Sequence, residues 1–242
     1  MSVITEISNA FDLEYQSASN TAPDMTLYEK SYFLTAALKK LITEAIPLFD
    51  INETSRRLLQ PLLVSNKVLQ TVEIISEYQG LNKFAIGLPK DCKNVLREVV
   101  LSDNCPVVKN VEVDRLDQIA ETINNPFKKP NKRKVLKIVG GPAEDLINLG
   151  FINADTLKGY DLYYSTGGIL EVRVTYFKYE NPIILGDLQD DPNGYGDETI
   201  GGLFSPSEPE LYEEFIPQII SIAVVMAIAS LRNNTIETKS QI

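Results

Sequence analysis

Gly159-Tyr-Asp-Leu-Tyr-Tyr-Ser165 and Ile169-Leu-Glu-Val-Arg-Val-Thr-Tyr-Phe-Lys-Tyr179, joined by Thr166-Gly-Gly168, decide the fold class. Both runs are rich in aromatic and β-branched residues, and Thr-Gly-Gly between them is a tight-turn signal, so the pair reads as a β-hairpin. The same composition recurs upstream at Leu69–Tyr78, Lys83–Leu88, Val95–Leu101, Val107–Val113 and Lys134–Val139. Gly80, Gly87-Leu-Pro89 and Asp103-Asn-Cys-Pro106 punctuate these runs, which predicts antiparallel strands. One helix is predicted among them, over Asp114–Ile123, with Asp114 as N-cap and Asn124-Asn-Pro126 as its end. The stretch Pro142–Gly150 reads as a short helix or an insertion loop.

Both ends of the chain switch to a helical period. Thr26-Leu-Tyr-Glu29 has the spacing of a capping box, and Tyr28, Tyr32, Leu34, Ala37, Leu38, Leu41 and Ile42 follow at i, i+3, i+4 until Pro47. Asn52 is a second N-cap candidate, opening a shorter segment that ends near Pro61. At the other end Pro209–Leu231 predicts a strongly apolar helix, with Val225 and Ala229 on the side opposite its main stripe. The fold class expected is therefore α+β, with N- and C-terminal helices packed together and a central, mainly antiparallel β domain. The boundaries are a flexible N-terminal arm over 1–25, a helical segment over 26–68, the β domain over 69–186, an acidic loop over 187–208 and the C-terminal helix over 209–242.

Composition narrows the function. The 242 residues carry a formal net charge of −10, with 44% hydrophobic and 23% charged residues, which suffices for a core and disfavours a general nucleic-acid binder. Histidine is absent, which removes Ser-His-Asp and Cys-His activation, His-ligated zinc and imidazole acid–base chemistry. Two cysteines, Cys92 and Cys105, are too few for a four-ligand zinc site and read as core thiols. The first residues show neither a basic n-region nor an apolar h-region, so no secretory signal is expected. No P-loop or dinucleotide fingerprint occurs, and Gln189–Ile200 departs from a calcium loop at its first and twelfth positions. No cofactor or metal is expected. A carboxylate enzyme would have to rest on Asp190, Asp191, Asp197 and Glu198, which have no paired base.

Two segments carry opposite charge. Asn125-Pro-Phe-Lys-Lys-Pro-Asn-Lys-Arg-Lys-Val-Leu-Lys137 holds six of the 23 basic residues, and no acid lies between Glu121 and Glu144. Residues 187–214 hold nine acids and no base. The bland account of the basic island is a hairpin edge protected by Lys and Pro. The functional account is an assembly contact through Phe127, Lys128, Lys129, Lys132 and Arg133, with Asp190, Asp191, Glu213 and Glu214 on the acidic side. Phe215 and Ile219 join this set because a helix apolar nearly all round needs cover on several sides, a subunit interface among them. The 17 residues from Phe215 to Leu231 are at the short edge for a membrane span, and no membrane partner is expected.

Four blocks together resemble a family of virion proteins from crAss-like and related Bacteroidales tailed phages. They are Tyr28-Glu-Lys-Ser-Tyr-Phe-Leu-Thr-Ala-Ala37; Glu53–Leu63 followed by Phe84-Ala-Ile-Gly-Leu-Pro-Lys-Asp91; Asp114-Arg-Leu-Asp-Gln-Ile119 running into Asn125–Arg133; and Val174–Leu185 followed by Glu210–Ile220 and the terminal helix. The chain departs from the pattern around Ile147–Gly159 and at Phe215-Ile-Pro217. The resemblance implies a structural, non-enzymatic neck ring between portal and tail, a homo-oligomer of twelve copies. Its implied partners are the portal protein, adjoining ring proteins and passing genomic DNA held without sequence specificity. The implied place is the virion, assembled in the host bacterial cytoplasm. The alternative is a nucleic-acid-binding module using Lys128–Lys137.

Overall fold

A computed structural model describes residues 3–19, 23–69, 71–74, 81–102, 110–114, 119–131, 134–139, 159–164, 169–189 and 199–239. The chain divides into two compact units, Leu63–Tyr179 and the combined ends Met1–Leu62 with Glu180–Ile242. The α+β class expected from the sequence is what forms: helices at the ends, strands between.

The terminal unit is helical. Helix α1 (Val3–Ala18) buries Ile7, Phe11 and Tyr15, one per turn, and the Phe11 and Tyr15 rings stack at 5.9 Å. This corrects the expectation of a flexible arm over residues 1–25. The segment is polar on average, but three apolar residues spaced four apart make a stripe that a neighbouring helix can order. Helix α2 (Leu27–Ala45) starts at the expected capping box, with the Thr26 hydroxyl accepting from the Glu29 N–H and the Glu29 carboxylate accepting from the Thr26 N–H. It stops at a 3₁₀ turn, Ile46–Leu48, where Pro47 cannot continue the ladder. Helix α3 (Glu53–Leu59) is capped by the Asn52 side chain, which accepts from Thr54 N–H at 2.9 Å.

The chain returns to this unit at Glu180. Ile183, Ile184, Leu185 and Leu188 are buried, yet the segment has no helix or long strand to satisfy its backbone. Two buried hydroxyls on α2 do that instead. Thr35 donates to the Ile183 carbonyl and accepts from the Ile183 N–H, and Ser31 accepts from the Leu185 N–H. A short bridge pairs Ile184 with Ser207, and Gly201 and Gly202 turn the chain with φ of 62° and 80°.

Among the described residues the central unit holds eight strands: β1 (Leu63–Leu69), β2 (Thr71–Ile74), β3 (Asn82–Gly87), β4 (Cys92–Ser102), β5 (Asn110–Asp114), β6 (Lys134–Val139), β7 (Gly159–Tyr164) and β8 (Ile169–Lys178). Two sheets result, β1-β8-β4 and β2-β3-β7-β6-β5, antiparallel apart from the parallel β5–β6 pair. The main core joins them: Val100, Val172, Val174 and Tyr176 from the smaller sheet meet Phe84, Ile86, Val135, Leu162 and Tyr164 from the larger. Alternate residues Leu136, Ile138 and Tyr163 point the other way and meet Ile123 of helix α4 (Ile119–Asn124).

Three expectations are corrected here. The hairpin expected between Gly159–Ser165 and Ile169–Tyr179 does not form, because β7 and β8 belong to different sheets. Each instead takes antiparallel neighbours on both sides, which satisfies both edges of each strand. Asp114 is not an N-cap: it ends β5, in register with Ile138, and α4 begins five residues later. Leu63–Leu69 is a strand, where the expected helical segment ran on to residue 68. Its Ser65-Asn66-Lys67 centre lacks β-formers because it is a bulge, with Asn66 at φ 53° and its N–H donated to the Thr175 hydroxyl.

Candidate functional site

The basic island begins as a tight turn closing α4. The Asn125 side chain accepts from the Phe127 N–H at 3.0 Å, while its carbonyl accepts from the Lys128 and Lys129 N–H groups at 3.1 and 2.9 Å. An Asx turn of this kind fixes three side chains in fixed order without regular structure. Phe127 is consequently 92% exposed, more than any other large apolar side chain among the described residues. Lys128 and Lys129 are exposed beside it, and neither has an ion-pair partner among the described residues. Asn131 and Lys134 exchange backbone hydrogen bonds at 3.1 and 3.0 Å. Lys132 and Arg133 lie outside the described residues.

The far end of the island is different. Lys137 is buried and its ammonium meets the Glu98 carboxylate at 2.8 Å, with both side chains about nine-tenths covered. This lysine neutralises an internal carboxylate and is not part of an external cationic face.

On the acidic side, Asp190, Asp191, Asp197 and Glu198 lie outside the described residues. Glu213 and Glu214 form an exposed 3₁₀ turn leading into helix α5 (Ile216–Lys239), and Glu214 pairs with Arg57 of α3 at 3.0 Å. Phe215 and Ile219 are 6% and 1% exposed, so they sit inside their own unit. They anchor α5 with Ile220, Ala223, Val224 and Ala227, the stripe that packs on α1 and α2. On the other side of α5, Val225 is 67% exposed and Ala229 is exposed. The stretch Glu213–Leu231 is long and apolar enough by composition to cross a bilayer, and one third of it is buried within the chain.

Two grooves on the helical unit were not legible in the sequence. One, of about 230 Å³, lies between α1 and the start of α5; the other, of about 250 Å³, lies between Tyr28, Tyr32 and Lys39 of α2 and the turn at Thr199–Gly201. Only the stacking of elements distant in sequence creates either one. In the central unit the hydroxyl of Tyr176 donates to both Asp91 oxygens, at 3.0 and 3.2 Å. Burial, helped by the adjacent carboxylate, pushes its pKa up to about 12. This contact joins Lys90-Asp91 to Val174–Leu185, just as Ser31 and Thr35 join the first sequence block to the Pro182–Leu185 end of the last.

An exposed aromatic flanked by two exposed lysines, and a long helix with exposed apolar residues, are features common in the class of proteins that work by contact with other chains. Comparison with known proteins defines that class. Residues 2–239 match the model of the phage tail ring protein 3/4 family, and the chain belongs to that family. It is also similar to ring protein 4/5 of Bacteroides phage crAss001, at 25% identity over 241 residues, covering 96% of this chain and 94% of the relative.

Proposed function

We propose that this chain is a structural subunit of a closed homo-oligomeric ring in the neck of a tailed phage. The ring has twelve copies, sits between portal and tail, and encloses the channel through which genomic DNA passes. The observation that carries the reading is the family match over nearly the whole chain. It is supported by the outward apolar side of α5, centred on Val225, which a neighbouring copy would remove from water. A cyclic ring uses two unlike patches per subunit, and the chain offers a basic turn and acidic surfaces to meet across such a contact. Phe215 and Ile219 then act in assembly by holding α5 in place. The net charge of −10 suits a channel wall that lets DNA slide without gripping it.

Electron microscopy of the assembled particle tests this directly. A closed ring of twelve copies against the portal is expected, and density for this chain anywhere outside the neck overturns the reading. Lys137 does not favour the alternative of a nucleic-acid module, because Glu98 already neutralises it.

A further inference from the structure

The groove between α1 and α5 is floored by Ile7 and Ala10 of α1 and by Pro217 and Ile220 of α5. Glu6 and Glu14 stand at its rim. Glu6, Ala10 and Glu14 follow each other at i, i+4 and i+8, so the two carboxylates flank the apolar floor about 12 Å apart along the helix axis. Glu14 accepts from the Ser221 hydroxyl at 2.6 Å. Neither acid has a cationic partner among the described residues.

Phe127-Lys128-Lys129 has the complementary arrangement: one apolar ring presented on a rigid turn, with two cations beside it that have no acidic partner among the described residues. A cavity of about 150 Å³ holds a benzene ring, so about 230 Å³ admits a phenyl group with room to spare. We propose that the α1–α5 groove receives Phe127 of a second copy of this chain, with the two lysines of that copy set against Glu6 and Glu14. Such a contact is heterologous, turn to groove, and so can close a ring. It rests on the ring reading above and adds the identity of one contact within it. The ring supplies the buried anchor, while the lysine–glutamate pairs at the rim set register and speed the encounter.

The test uses full-length chains carrying Ala10→Cys or Phe127→Cys. Both positions are exposed, so folding is preserved. Under mild oxidation, a mixture of the two variants is expected to form a disulfide between different molecules, and neither variant alone to do so. Phe127→Ala is expected to weaken self-association in sedimentation by tenfold or more. Glu6→Lys with Glu14→Lys is expected to weaken it too, and pairing that protein with one carrying Lys128→Glu and Lys129→Glu to restore it. Rings that form normally with Phe127→Ala and no cross-link in the mixture overturn the contact and leave the ring reading standing. A Phe127→Ala protein that self-associates normally but no longer binds DNA or another ring protein also overturns it. A wild-type chain that forms no ring in the particle overturns both.

Discussion

The hydroxyl of Thr35 donates to the carbonyl of Ile183 at 3.1 Å and accepts from the N–H of the same residue at 3.0 Å. One side chain on α2 thus completes both backbone groups of a residue 148 positions away. This is how an irregular, buried return segment lying against a helix satisfies backbone groups that no ladder reaches.

Thr35→Val keeps the volume and removes both hydrogen bonds. It leaves a buried N–H and C=O unmet, and the expected loss is about 2–3 kcal/mol in urea unfolding. Thr35→Ser keeps the hydroxyl and is expected to recover most of that difference.

Tyr176→Phe removes the hydroxyl from Asp91 and is expected to cost about 1 kcal/mol at neutral pH. The pH dependence has a defined sign. The folded phenol titrates at about 12 against a reference of 10, so the folded state holds the proton longer. That contribution is fully present below pH 10 and is lost as pH rises from 10 to 12. Wild-type stability should therefore fall through this window more steeply than that of Tyr176→Phe.

Lys137→Met removes the ammonium that meets the buried Glu98 carboxylate, and the expected loss is about 3 kcal/mol. Replacing both, as Lys137→Met with Glu98→Leu, removes the buried carboxylate as well and should cost less than the single change. A double mutant less stable than Lys137→Met would refute the assignment of this pair as an internal neutralisation.

Val225→Glu changes an exposed position on α5, so unfolding of the isolated subunit should shift by no more than about 0.5 kcal/mol. Ring formation, followed by native mass spectrometry or electron microscopy, is expected to fail. Unchanged rings would show that this side of α5 faces water.

The sequence reached the sites whose physics is local. The capping box at Thr26 and Glu29, the Asn52 cap and the stop at Pro47 each depend on residues within a turn of one another. The Glu29-Lys-Ser-Tyr-Phe-Leu-Thr35 block was visible as a motif, but its reason was not. Glu29 caps, Lys30 pairs with Asp12 of α1 at 2.8 Å, and Ser31 and Thr35 hold a segment from the far end of the chain. Phe127 with Lys128 and Lys129 was legible because a Pro- and Asn-rich basic turn has nowhere to hide an aromatic ring. The groove proposed to receive it was not, since α1 and α5 meet only after folding.

By itself the sequence determined an α+β chain without histidine chemistry, helical at both ends, with a basic turn and an apolar terminal helix. Tertiary structure alone decided that β7 and β8 join different sheets, that residues 3–18 form a packed helix, and which side of α5 remains uncovered. The division follows from range. Caps, turns and periodicity are set by neighbours along the chain, whereas strand partners and buried faces are chosen by whichever distant surface satisfies the backbone and excludes water.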